Sequence, residues 1–217
     1  RQNPADLDLL QRLSRLYMRN GNNRDAEAVI EKILKIEPDN VQMMVELADC
    51  QVRRGAYEDA TYNIERALEL RPGMTAAFIA MARLHEAQGS VEKQVSFMMR
   101  AANAAPDKAE IRLSLAEMLK RYGDISGAIA QYRLILETWP DLEAALFSLG
   151  TLQLRQNDVS AAVACFRKII SNNPGAFDAH FNLASCYFRQ RKYKMAAEHF
   201  RVSLRQSDLA QRSMYLM

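Results

Sequence analysis

Cysteine is scarce in this chain. Cys50, Cys165 and Cys186 are an odd number with no CxxC spacing, so neither a disulfide framework nor a paired-cysteine zinc site is on offer. The three thiols are read as free and buried, as in a reducing compartment; a Cys165–Cys186 bridge between neighbouring helices is the open alternative, without support in the sequence. Long apolar runs are missing too: no stretch of about 18 residues could cross a membrane as a helix. No secretory leader is visible, and the start at Arg1-Gln2 without methionine reads as a fragment or processed product. Charge of one sign is also lacking. With 29 basic against 26 acidic residues the net charge is +3, without the clustered basicity of a nucleic-acid binder. Histidine occurs only at positions 85, 180 and 199, and none has a second ligand at metal spacing on its own helix; His180 and Cys186 are six apart. There is no GxGxxG, no P-loop and no nucleophile elbow. Catalysis, cofactor binding and metal binding are therefore not expected. At 49% hydrophobic and 25% charged, the chain is nevertheless too apolar to remain disordered.

What is present is a comb. Pro4, Pro38, Pro72, Pro106, Pro140 and Pro174 are all the prolines, each 34 residues from the next. Leu13, Leu47, Met81, Leu115, Leu149 and Leu183 keep the same period, each followed by a small residue. So do Ala26, Ala60, Gln94, Ala128, Ala162 and Ala196, and then Ile30, Ile64, Met98, Tyr132, Phe166 and Phe200. Gly21, Gly55, Gly89 and Gly123 fall between these sets, with Asn157 and Arg191 in their place later. A proline removes a backbone donor and disfavours helix in its predecessor, so it punctuates between units and also suits a helical first turn. A glycine or asparagine at the mid-unit reversal supplies positive φ cheaply. The small positions let paired helices approach, and the large apolar ones fill the space between them. A 34-residue period of this kind predicts a repeated helix-turn-helix.

The order Leu–small–x–x–Tyr, Ala-x-x-x-Phe, Pro resembles the tetratricopeptide repeat (TPR) family. Leu13-Ser14, Tyr17, Ala26, Ile30, Ile33 and Pro38 carry it in the first unit, and Leu149-Gly150, Ala162, Phe166, Ile169 and Pro174 in the fifth. The resemblance implies an all-α, right-handed α-solenoid of antiparallel helix pairs over 1–217, with first helices lining the inner face. The units run 7–40, 41–74, 75–108, 109–142, 143–176 and 177–210, and 208–217 is read as the start of a capping or further helix, Ser207 or Asp208 capping it through Tyr215. The third unit departs from the pattern with His85 and Gln94, which predicts looser packing there.

No unit can bury its apolar face alone, and the scaffold serves many partners, so the expected role is protein–protein interaction. By the resemblance, the fifth and twelfth residues of each unit face the groove: Gln11, Met18, Val45 and Val52 early in the chain; Leu113, Phe147 and Phe181, then Lys120, Leu154 and Phe188, late in it. The late set is more apolar and aromatic, as interaction surfaces are. The predicted partner site is Leu113, Phe147, Leu154, Phe181 and Phe188, flanked by Arg121, Arg155 and Arg189. The partner is a protein or peptide segment, and self-association is compatible with it. An arginine ladder at 19, 53, 121, 155 and 189 could track phosphates, but Asp8, Glu46, Asp49, Glu86, Glu110 and Glu117 share its helices and argue against RNA or DNA. The lysine–asparagine clamp by which some members of that family grip a terminal carboxylate is not expected: Asn182 alone resembles it, and its would-be partners in the preceding unit are Phe147 and Thr151. The alanine-rich units resemble bacterial arrays in envelope assembly, polysaccharide export or organelle assembly. The alternative is a regulatory or targeting arm of a larger enzyme.

Overall fold

The computed structural model describes residues 4–214, with side chains from 6 to 204. Among these the chain forms twelve α-helices and no strand: α1 Pro4–Arg19, α2 Asn23–Ile36, α3 Val41–Arg54, α4 Tyr57–Leu70, α5 Thr75–Ala87, α6 Val91–Ala104, α7 Ala109–Arg121, α8 Ile125–Thr138, α9 Glu143–Arg155, α10 Val159–Asn172, α11 Phe177–Arg189 and α12 Tyr193–Met214. They make an all-α helical-repeat solenoid of antiparallel pairs. Residues 1–111 and 112–217 form two compact units.

The proline comb sets where second helices stop. Glu37, Arg71, Ala105, Trp139 and Asn173 each precede a proline, and each closes its helix with φ between −124 and −136°. Steric conflict with the proline ring drives that residue out of the helical region. These prolines stand in the turns rather than in the next helix; only Pro4 begins a helix. Where Asp208 replaces proline the conflict vanishes, and α12 runs unbroken through Ser207 and Asp208. The structure thus differs from the separate helix expected at 208; Tyr215 lies outside the described residues. Within each pair the reversal passes through positive φ, which costs glycine nothing at Gly55 (81°) but strains Asn157 (65°) and Arg191 (60°). Asn40, Asp124 and Asp158 each accept a backbone N–H three residues on, fixing the starts of α3, α8 and α10.

In residues 1–111, Ala26, Val29, Ile30 and Ile33 of α2 pack on Met43, Leu47 and Cys50 of α3. A second cluster joins Met44, Val45 and Ala48 of α3 to Ala60, Ile64 and Ala67 of α4, and to Ala77, Met81 and Leu84 of α5. Ile30 and Ile33 are fully buried, and truncating either to alanine would cost about 2–5 kcal/mol. In residues 112–217 the same roles fall to Ala128, Tyr132 and Ile135, then Ala162, Phe166 and Ile169, all buried. Gln94 in the third unit is also buried, so the larger side chain lies within the packing.

Candidate binding face

In residues 112–217, α9 and α11 pack side by side and carry most of the predicted site. Their fifth-position rings lean on second helices. Phe147 meets Phe166 edge-on at 5.9 Å, and Phe181 meets Phe200 at 5.5 Å. Phe188 is held likewise by Tyr193, at 5.5 Å. Edge-to-face contact fixes the rings without hiding them: Phe181 stays 53% exposed and Phe188 58%. The two are seven residues apart, two helical turns, and so lie on one face of α11. Leu113 and Phe147 are half-buried, and Arg121, Arg155 and Arg189 are exposed.

Leu154 corrects the expectation. It is 8% exposed, and its side chain belongs to the packing. Val45 at an early fifth position is buried as well, at 4%. A fixed repeat position sets direction, but the volume of the neighbours sets how much of the side chain emerges. Arg189 also supports the fold. Its Nη1 donates to the Leu154 carbonyl at 2.7 Å, satisfying an acceptor in the last turn of α9.

The sequence reading missed the polar node of this face. The Glu117 carboxylate on α7 accepts from Tyr132 Oη of α8 and from Ser148 Oγ of α9 at 3.3 Å, and pairs with Lys120. Burial would raise its pKa, but the bonds from Lys120, Tyr132 and Ser148 outweigh it and hold the carboxyl below its ordinary value. Burial, with the Glu117 bond, pushes the Tyr132 phenol upward. An acid that the sequence suggested would repel anions thus stays ionised with its charge paired to Lys120. A tyrosine among the apolar residues of its comb position, with a carboxylate on the preceding helix, was the available signal. Near the starts of α9 and α11 lies an open cavity of about 620 Å³ bordered by Glu143, Phe147, Ser148, Asn173, Phe177 and Asp178.

The first-helix face in residues 1–111 has another character. Asp49 on α3 pairs with Arg83 on α5 at 2.9 Å, at the repeat position that Thr151 and Ser185 hold in α9 and α11. The histidines pack: His85 stacks on Phe97, and buried His180 meets His199 Nδ1 to Nδ1 at 2.8 Å while its Nε2 donates to the Pro174 carbonyl. Cys50, Cys165 and Cys186 are free and buried. Among the described residues no group of three or more His, Cys, Asp or Glu is placed to hold a metal, and no helix is long and apolar enough to cross a membrane.

A helical-repeat solenoid that displays side chains from successive first helices is a scaffold for protein–protein contact, a class typically without catalysis. The chain belongs to the tetratricopeptide repeat family, whose profile matches residues 12–75 and 147–210, together more than half its length. No curated protein matches the sequence. Solved structures share the fold. YrrB, described as a TPR protein with an unusual peptide-binding site, is 16% identical, with TM-score 0.62 over 81% of this chain and 90% of its own. MamA is 15% identical, with TM-score 0.61 over 76% and 97%. The C-terminal part of a TPR repeat-containing protein from Cytophaga hutchinsonii is 14% identical, with TM-score 0.70 over 89% and 78%.

Proposed function

We infer that this protein is an assembly scaffold that holds a partner segment against the first-helix face of residues 112–217, with Phe181 and Phe188 as anchors. The observation that carries this reading is their joint exposure on one face of α11. Large rings kept in water by a folded protein are a standing cost that a partner removes. Phe147 and Leu113 extend the apolar surface, Arg121, Arg155 and Arg189 flank it, and Leu154 supports it from below. Basic flanks around apolar anchors favour a helix or extended segment with aromatic or aliphatic anchors beside acidic residues. The peptide site named for YrrB supports peptide recognition as a use of this fold. The alanine-rich, near-consensus units support a setting in bacterial envelope, export or organelle assembly.

Peptides selected by display on the immobilised chain should carry apolar anchors next to Asp or Glu. For the best of them, Phe181→Ala or Phe188→Ala should weaken binding by about 2 kcal/mol, roughly thirtyfold in Kd. The melting temperature should hardly move. Unchanged affinity with a large loss of stability would overturn the assignment and make both rings packing residues.

A further inference from the structure

One position of the second helices fastens each to the first helix of its own pair. It holds Val29, Asn63, Phe97, Gln131, Cys165 and His199, 34 residues apart. Val29 of α2 lies in the cluster against which Leu10 and Tyr17 of α1 pack. In α4, Asn63 donates to Gln51 of α3 at 3.0 Å. In α6, Phe97 stacks on His85 of α5 at 5.4 Å. In α8, Gln131 accepts from Arg112 of α7 at 2.9 Å, and in α10, Cys165 donates to Gln153 of α9 at 3.4 Å. Of these residues only His85 is of a type that changes charge between about pH 5 and 8, and its proton would meet an aromatic ring, which tolerates a cation. In α12 the position holds His199, and its partner is a second histidine, His180 of α11, Nδ1 to Nδ1 at 2.8 Å.

His180 is buried, and its Nε2 donates to the Pro174 carbonyl at 3.2 Å. Its Nδ1 is then an acceptor while the ring is neutral, and His199 Nδ1 carries the hydrogen between them. Charging both rings destroys this arrangement. Two N–H groups would face each other across 2.8 Å, each on a cation, with ring centroids 5.0 Å apart. Glu198 on α12 is the acidic neighbour, and Tyr187 of α11 lies beside His199 at 5.7 Å with the Lys192 ammonium 6.0 Å from its ring. The other helices packed on α11 act farther along it: α9 sets the Leu154 carbonyl at Arg189, and α10 brings the Cys165 thiol near Cys186. Burial, then the facing His180, hold the His199 pKa below its ordinary value against the pull of Glu198. With the folded value below the unfolded one of about 6.5, the fastening is complete above that unfolded value and is lost as pH falls through the folded one.

We propose that the His180–His199 contact is an acid-released fastening between α11 and α12, which opens when both rings are charged and withdraws the supports of Phe181 and Phe188. Both supports are on α12: Phe200 meets the Phe181 ring at 5.5 Å, and Tyr193 meets the Phe188 ring at 5.5 Å. His199 directly precedes Phe200, so a shift that separates the two histidines moves that ring as well. The fastenings of the other pairs gain no like-charged neighbour and stay closed. The consequence for a bound segment rests on the partner site inferred above: the anchors lose their set geometry, and the segment is released at mildly acidic pH.

Hydrogen exchange read by mass spectrometry, corrected for the intrinsic rate at each pH, tests the fastening without any partner. Residues 193–204 should open at least about tenfold more at about pH 5 than at about pH 7.5, while α4, fastened by Asn63, should open equally at both. His199→Gln places here the residue that α8 carries, and its amide can donate to His180 Nδ1 or accept from it, so its response should be flat. His180→Gln is a second variant that also leaves one ring to charge, and urea unfolding at about pH 7.5 should show both folded. Unchanged exchange in the wild type, or an acid loss that persists in either folded variant, would overturn the proposal. Partner release is read separately, with a display-selected peptide whose affinity at about pH 7.5 falls in Phe181→Ala; a peptide indifferent to that change counts against the partner site and not against the fastening. Its affinity should drop about tenfold at about pH 5 for the wild type and hold for His199→Gln. Equal drops in both would overturn the link to release.

Discussion

Gly150 offers a sharp test of how tightly the fifth pair is closed. Its repeat position holds Ser14, Ala48, Ala82, Ala116 and Ala184 in the other units, so a Cβ is the norm. At residue 150 an added Cβ would lie 2.9 Å from Phe166 Cζ and 3.1 Å from Cys165 Cβ. Phe166 is fully buried and meets Phe147 edge-on, so its ring has no open space into which to withdraw. Replacing glycine by alanine inside a helix gains about 1 kcal/mol of propensity. Overpacking a closed core costs about 1–3 kcal/mol. The clash wins, and Gly150→Ala should lose up to about 2 kcal/mol, roughly 2–4 °C per kcal/mol at this size. The discriminating experiment is a double-mutant cycle with Phe166→Leu, which removes the far end of the ring. Urea unfolding followed by circular dichroism should find the double variant less destabilised than the sum of the singles, by about 1–3 kcal/mol. Strict additivity, or a net gain from Gly150→Ala alone, would refute the close approach.

Two further outcomes follow from local geometry. Arg191→Gly should stabilise the chain by about 0.5–1 kcal/mol in the same unfolding assay, since relief of positive φ at a non-glycine outweighs the extra freedom of glycine when unfolded; a loss would contradict the 60° assignment. Glu117 has a folded pKa below its unfolded value of about 4.3. Its contribution is complete above that unfolded value and disappears as pH falls through the lower folded one. Urea midpoints of wild type and Glu117→Gln should therefore differ at about pH 7 and draw together as the pH falls below the unfolded value, and a constant gap would rule the carboxylate out.

The fold was legible because its punctuation is chemical. A proline forces the preceding residue out of the helix wherever it stands, so Glu37 and Trp139 end α2 and α8 in the same way from unrelated sequence. The positive-φ turns were legible for the same reason, even where arginine had replaced glycine. The site was harder to read. Repeat position placed Phe181 and Leu154 on the same kind of face, yet one is open and the other buried, because exposure depends on which side chains surround each residue. The Glu117 node joins three helices across 15 and 31 residues of chain, and no local spacing announces it.

The three thiols have a use that their inertness creates. Desolvation by burial pushes Cys50 and Cys186 up to about 11 and raises Cys165 in the same direction, so almost no thiolate exists at neutral pH while the helices are closed. An alkylating reagent can reach them only through transient opening, and its labelling rate then reports the free energy of that opening. Cys50 sits in α3, Cys165 in α10 and Cys186 in α11. The protein thus carries native clocks in both of its compact units. Mass spectrometry of each cysteine peptide during slow alkylation would time how separate stretches of the repeat array breathe, with no engineered probe.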